Sequence, residues 1–464
     1  MSDPKSSSYQ TISRKRLEEV MAREELEFVT DHPKSAALYE RAKNSLLGGV
    51  PMNWMKKWAG KLPIFVAEAH GAHFIDVDGR EYVDLCLGDS GAMTGHSPAT
   101  AVEAIARQLQ RGITFMLPTE DALWVGEELA RRFRLPYWQF TLTATDANRF
   151  AIRIAREITG RHKILVYNYC YHGTVDESFI SIQDGKPGPR RGNIGPPVNP
   201  IETTRVVEFN DLDALDAALD DLNVACILAE PVMTNVGIVH PDPDYWQKAA
   251  ELARRYQTLL ILDETHTLCA GPGGYTREHD LHPDILIVGK PIASGLPAGT
   301  YGCTESVARR ILMRVQLEDC DTGGIGGTLA GNALSLAAMR ATLEHVLTPA
   351  AFERMIPLAE RFADGVAAAI AAADLPWHVT RLGCRAEYLF YPHPPRNGGE
   401  AAAAVDFELE RFMHLWALNR GILLTPFHNM ALMSPDTTAA DVDLHTEVFT
   451  SAVRELISHG RAAP

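Results

Sequence analysis

Lys290 closes the apolar run Ile285-Leu-Ile-Val-Gly-Lys, and Asp263 closes another, Leu259-Leu-Ile-Leu-Asp. Short apolar runs bounded by Gly and Pro read as buried strands of a parallel sheet. Ligands of open α/β sheets gather at the carboxyl ends of such strands, so a lysine and an aspartate placed there would share one crevice. An amine that can form a Schiff base, with a carboxylate to hold a pyridinium nitrogen, is what pyridoxal phosphate chemistry requires. Taken singly, a charge at a strand end is more often a snorkelling surface group. The pair is therefore weighed with its neighbours.

Four further elements point to the same crevice. Thr143-Ala-Thr-Asp-Ala-Asn precedes a helical pattern, where small residues and a helix N-terminus suit a phosphate; a plain N-cap would use the same threonines. Cys170-Tyr-His-Gly173 follows a strand pattern, so Tyr171 could lie over an aromatic ring and His172 could supply a supporting hydrogen bond, although Tyr-His-Gly alone is more often a turn. Ala229-Glu-Pro-Val232 brings the carboxylate of Glu230 to another strand end. Gly326-Gly-Thr-Leu-Ala-Gly-Asn332 is a glycine-lined turn with a hydroxyl, Thr328, before a helix.

These residues need a scaffold, and the pattern between them describes one. Residues 122–133 and 146–158 have helical periodicity; 139–142, 164–167, 205–209, 224–229, 259–263 and 285–290 read as strands. Alternation of this kind predicts an α/β fold with a mostly parallel sheet covered by helices. Residues 11–28 and 35–47 look like exposed helices of an N-terminal arm, and 63–68 with 72–76 like strands, with Asp78-Gly79 marking a hairpin turn. Residues 185–200, rich in Gly and Pro, read as a long surface loop that could close over the site. Past Ala333 the pattern turns helical, then strand-like at 387–391, with a further loop at 392–399, giving a smaller C-terminal domain. The expected divisions are an arm and small-domain segment at 1–75, a large domain at 76–333 and a small domain at 334–464.

The chain has 464 residues, 46% of them hydrophobic, and a net charge of −15, which argues against nucleic acid as a partner and favours small molecules. Seven scattered cysteines, mostly in apolar runs, fit free thiols in a reducing compartment. Cys170 with His172, and His266 with Cys269, lack the partners a metal site needs and read as site-wall or core residues, so no metal is expected. With no secretory h-region near the N-terminus and no apolar stretch of spanning length, a cytoplasmic protein without membrane contact is expected.

In order, the Asp76-Val-Asp-Gly79 hairpin, Gly95-His96, the phosphate turn, Tyr-His-Gly, Glu-Pro-Val, Asp-Glu, Lys290 and Gly-Thr resemble the class III, fold type I, pyridoxal-phosphate-dependent aminotransferases from about residue 48 to the C-terminus. The resemblance implies a seven-stranded-type sheet in the large domain and a smaller α+β domain built from the N- and C-terminal segments. It implies that Lys290 forms the Schiff base and moves the proton, that Asp263 pairs with the pyridinium nitrogen, and that Tyr171 stacks on the ring. Thr265 stands on the other face, where the family usually has valine. Ala144 and Thr145 would bind the phosphate through their amides, with Thr328 reaching it from a neighbouring subunit, which implies a homodimer. His172, Glu230 and Asn235 would line or brace the cofactor pocket.

The nearest patterns are the glutamate-1-semialdehyde aminomutases and the amine or β-amino acid transaminases. Their Ser-Gly-Thr-Glu-Ala phosphate turn is Thr143-Ala-Thr-Asp-Ala147 here. Met55 falls where the aminomutases carry a carboxylate-binding arginine, with Lys56 one place on, and Met430 falls near an acidic residue that they use. With Trp54 beside it, this implies a larger and more apolar substrate pocket, for which Trp54, Met55, Ser90, Arg385 and Met430 are the candidate lining residues. Arg385 has a second reading, as a surface or Glu387-paired arginine. The reading that results is an aminotransferase passing an amino group from an amine or amino acid to a ketone, aldehyde or keto acid through pyridoxamine phosphate. A 2,1-aminomutase or a racemase is the alternative.

Overall fold

A computed structural model describes residues 12–458. The first residue of the expected arm helix, the ten before it and the last six residues lie outside the described residues. The chain divides into two compact units, with boundaries after Asp89 and after Glu353. The divisions expected after 75 and 333 fall inside these units, and residues 395–403 return to the larger one.

The larger unit is built on a mixed sheet of seven strands: β1 Tyr137–Thr141, β2 Lys163–Tyr167, β3 Thr204–Val207, β4 Val224–Ala229, β5 Leu259–Asp263, β6 Ile285–Gly289 and β7 Gly299–Cys303. Their order across the sheet is β1-β7-β6-β5-β4-β2-β3. Six run parallel, and β7 is antiparallel to both its neighbours. Every residue of β4, β5 and β6 is buried, as runs such as Val-Ala-Cys-Ile-Leu-Ala and Ile-Leu-Ile-Val-Gly require when helices cover both faces. One helix, Ala144–Thr159, packs Ala147, Ala151, Ile154, Ala155 and Ile158 into that core. Thr143 caps its start by accepting from the Asp146 amide, and Gly160 ends it at φ 71°.

Two elements differ from the sequence expectation. The loop expected at 185–200 begins inside a hairpin, Ile180–Gln183 paired with Lys186–Pro189 around Asp184-Gly185. Both turn residues have positive φ, 49° and 73°, as a two-residue hairpin turn demands. Strand β7, Gly-Thr-Tyr-Gly-Cys, carries too little apolar pattern to be read in advance. Its glycines are there for packing: a Cβ on Gly299 would come within 2.5 Å of the Thr143 carbonyl.

The smaller unit draws on both ends of the chain. Val66–His70, His73–Asp76 and Glu81–Asp84 form an antiparallel meander, and Ile422–Leu423 adds to it in parallel. A second sheet pairs His378–Leu382, Arg385–Leu389 and Met430–Leu432. Helices Arg14–Asp31, Phe407–Asn419 and Ala439–Ile457 pack together in this unit. No described helix is long and apolar enough to cross a membrane. All seven cysteines are free, and six are buried.

Polar groups are also enclosed in this smaller unit. Glu387 accepts from Arg385 Nη2 at 3.1 Å and contacts His428 Nδ1 at 3.2 Å. Burial opposes its charge, but His428 and Arg385 outweigh burial and hold its pKa below the usual range. Glu410 lacks such compensation. Burial raises its pKa to about 7; His428 opposes the rise, while Glu387 and Asp406 add to it. Folding therefore takes up a proton at Glu410 between its ordinary pKa of 4.5 and about 7, and stability falls as pH rises through that window. Glu410→Gln should stabilise the protein at pH 8 by on the order of 2 kcal/mol and leave it nearly unchanged near pH 4.5. Unfolding curves at the two pH values check this, and an equal effect at both would contradict it.

Candidate active site

Asp263 ends β5 and is only 4% exposed. Moving a carboxylate out of water costs several kcal/mol, and three donors offset that cost here. Asn148 Nδ2 donates to Oδ2 at 2.8 Å, His172 Nδ1 lies 3.0 Å from the same oxygen, and the Thr265 amide donates to Oδ1 at 3.1 Å. Hydrogen bonds to a charged group contribute roughly 1.5–3 kcal/mol each, so together they match the burial cost. Burial opposes ionisation, yet these bonds, led by His172, keep the Asp263 pKa below the usual carboxylate range. For His172 burial opposes protonation, but the bond to Asp263 wins and raises its pKa to about 10. At neutral pH the two form a buried imidazolium–carboxylate pair.

Lys290 follows β6 directly. Asp263 pairs with Ile287 on that neighbouring strand, so both side chains leave the same edge of the sheet. Lys290 has φ 47° and a partly buried side chain. Its Nζ lies 2.9 Å from His266 Nε2, and His266 Nδ1 lies 3.2 Å from Ser90 Oγ. The sequence reading had left His266 among wall or core residues. Its only advance signal was its place three residues after Asp263.

The Thr143-Ala144-Thr145 turn opens the Ala144–Thr159 helix, whose first amides have no acceptor within the helix. Glycines let neighbouring segments close onto this turn. A Cβ on Gly289 would lie 2.8 Å from Ala144 Cβ, and one on Gly173 would lie 1.9 Å from Thr145 Oγ1. The Thr174 amide donates to that same Thr145 hydroxyl at 3.2 Å. A helix N-terminus closed in by glycines, beside a carboxylate kept ionised and a lysine, fits a cofactor with a phosphate at one end and a basic ring nitrogen at the other.

The remaining candidates fall in different places. Tyr171 is 40% exposed in the loop after β2, and Thr265 is buried beside Asp263. Glu230 is buried past the end of β4 and accepts from the Thr234 hydroxyl and amide, while Asn235 Nδ2 donates to the Tyr169 carbonyl at 2.9 Å. Asn235 thus braces the backbone two residues before Tyr171, while Glu230 holds its own loop. Thr328 is exposed in the turn after Gly327. Ser90 belongs to the larger unit, whereas Trp54, Met55, Arg385 and Met430 belong to the smaller one. Trp54 and Met55 lie on the single turn Asn53–Lys56, with Trp54 exposed. Met430 is buried opposite Glu387 in its sheet. Arg385 is fully buried and paired with Glu387, so the Glu387-paired reading holds and the surface reading does not.

The Aminotransferase class-III family model matches residues 54–452. A glutamate-1-semialdehyde 2,1-aminomutase of Opitutus terrae is 33% identical over 91% of this chain and 99% of its own length. A crystal structure of a glutamate-1-semialdehyde aminomutase from Pseudomonas aeruginosa PAO1, in complex with PMP, is similar at 50% identity and TM-score 0.94, covering 96% of this chain and 99% of that one. An omega-transaminase from Sphaerobacter thermophilus superposes with TM-score 0.82 at 28% identity, over 91% of this chain and 97% of its own. On this evidence the chain belongs to the class-III aminotransferases, a pyridoxal-phosphate-dependent family of fold type I.

Proposed function

We propose that this protein is an aminotransferase that moves an amino group from an amine or amino acid to a ketone, aldehyde or keto acid. The observation that carries the reading is that Lys290 and an Asp263 carboxylate kept ionised by its neighbours close adjacent parallel strands at one edge of the sheet. Bound pyridoxal phosphate supplies the electron sink and the carbonyl carbon that accepts nitrogen. The protein's residues do the rest. Asp263 keeps a proton on the ring nitrogen, and His172 and Asn148 keep Asp263 in place and charged. Ala144 and Thr145 bind the phosphate through their amides. Tyr171 and Thr265 flank the ring. Lys290 would hold the cofactor through Nζ, and the same nitrogen, when free, would take a proton from the substrate Cα.

The smallest complete enzyme in this reading is a homodimer in which Thr328 serves the other subunit's phosphate site. The exposure of Met116, Leu117, Leu123, Leu312 and Met313, all in the larger unit, supports a second copy as its cover. On the substrate side, Trp54, Met55 and Met430 favour an amine or non-standard amino acid over a substrate gripped by its carboxylate. A second reading, a 2,1-aminomutase, is favoured by the names of the relatives, and it differs in one respect: the nitrogen stays in one molecule and no acceptor is consumed.

The visible spectrum tests the reading. Purified protein should show a cofactor band that one class of amine or amino acid discharges without acceptor, and an added carbonyl acceptor should restore it. Turnover of glutamate-1-semialdehyde offered alone would establish the aminomutase instead. Lys290→Ala should lose turnover by several powers of ten; retained activity would overturn the assignment. Asp263→Asn should stay folded by circular dichroism yet lose on the order of 10²-fold or more in kcat, because the ring nitrogen is no longer held protonated by a charge. If Met55 stands in for a carboxylate anchor, Met55→Arg should raise kcat/KM for acidic substrates by about tenfold relative to neutral amines, near the 1.4 kcal/mol of a single exposed ion pair. An unchanged preference would remove Met55 from the pocket.

A further inference from the structure

His266 has no part in the reading above, yet its ring bridges Lys290 and Ser90. Nε2 is 2.9 Å from Lys290 Nζ, and Nδ1 is 3.2 Å from Ser90 Oγ. A contact of 2.9 Å between two nitrogens requires that one of them carry the shared proton.

We propose that His266 is the proton acceptor for Lys290, with Ser90 accepting from Nδ1 in the tautomer that makes it one. With Nδ1–H donating to Ser90 Oγ, the lone pair of Nε2 faces Nζ. An Nζ–H bond of the Lys290 ammonium breaks and an Nε2–H bond forms, leaving a neutral amine and an imidazolium. Nδ1 donates to Ser90 before and after the transfer, so nothing has to rotate. The reverse transfer returns the proton to Nζ. Only the neutral amine can attack a carbonyl carbon or take a proton from substrate, so a group that exchanges this proton on the spot shortens both events.

The surroundings hold the three groups in register. Ser90 is buried and has φ 76°, and Lys290 has φ 47°; both values lie in the left-handed region that non-glycine residues seldom occupy. The segment that carries His266 is pinned on both sides. The Glu264 amide donates to the Ile287 carbonyl at 2.8 Å, and the Leu268 amide donates to the Glu264 carbonyl at 2.8 Å. The buried Glu264 carboxylate accepts from the Thr267 hydroxyl and from the amides of Tyr275 and Thr276. A Cβ on Gly274 would come within 2.5 Å of that carboxylate, so the loop closes on it tightly. Such bracing is what a proton-exchanging ring needs and what a spare wall residue does not.

The inference rests on Lys290 being the reactive amine, and the experiment separates the two. Apo-protein is mixed with pyridoxal phosphate at neutral pH, and the second-order rate of capture is followed by visible absorbance in a stopped-flow instrument. Lys290→Ala should give no capture band; a band like that of the wild type would sink the Lys290 reading itself. His266→Gln, which keeps size and hydrogen bonding but cannot take a proton, should capture about 10²-fold more slowly, as should His266→Met. Ser90→Ala should lose less, about three- to tenfold, because the ring loses the hydrogen-bond partner at Nδ1 but not its base. Added imidazole should recover at least a tenfold share of the rate in His266→Gly, about one decade of the roughly two lost. Thermal melts of each variant check folding. If His266→Gln and His266→Met capture within threefold of wild type while Lys290→Ala does not capture, His266 is a wall residue and the inference fails alone.

Discussion

One buried charge organises the larger unit's site. Asp263 can remain ionised at 4% exposure only because His172, Asn148 and the Thr265 amide are all in position. Each comes from a different stretch of chain: His172 from the loop after β2, Asn148 from the helix after β1, and Thr265 from the turn after β5. Losing any of them leaves a carboxylate less compensated in a low dielectric, where an uncompensated charge costs about 3–5 kcal/mol. The parallel sheet is what brings the three together. Its strand ends face one edge, so residues more than a hundred positions apart meet on one carboxylate.

Glycine placement is the second constraint and follows from the first. The helix that supplies Asn148 also begins at the Thr143-Ala144-Thr145 turn, so its height against the sheet sets both the carboxylate contact and the place of the first helix amides. Gly289 and Gly299 let β6 and β7 run directly beneath that turn, and Gly173 lets the His172 loop lie against it. A side chain at any of these three would lift the helix start and draw Asn148 away from Asp263. The placement of the helix start and the buried contacts of Asp263 are thus one packing problem.

The smaller unit encloses charge as well, but with a different balance. Around Glu387 the neighbours His428 and Arg385 more than offset burial, whereas Glu410 is left raised to about 7. Replacing such groups by apolar residues is often neutral or stabilising in proteins, so these enclosed charges are no measure of the unit's stability. Arg385 is fully buried there and pairs with Glu387 through Nη2.

The sequence alone determined the large sheet's parallel strands, because Val224–Ala229, Leu259–Asp263 and Ile285–Gly289 are apolar on both faces and only a covered parallel sheet buries such runs. It also determined that Lys290 and Asp263 share an edge, since each ends such a run. It left other elements open for physical reasons. Two of the five residues of strand β7 are glycine, so no periodicity marks it. The hairpin at 180–189 hides its signal in two residues, Asp184-Gly185, within a segment otherwise rich in Gly and Pro. Only the tertiary structure decided the roles of Asn148, a polar residue on a helix face, and of His266, one of seventeen histidines in the chain. Their partners lie far away in sequence: Asp263 is 115 residues beyond Asn148, and Ser90 is 176 residues before His266. Periodicity and composition report on neighbours along the chain. Which polar groups face each other across the end of a sheet depends on how the sheet assembles, and that information exists only after folding.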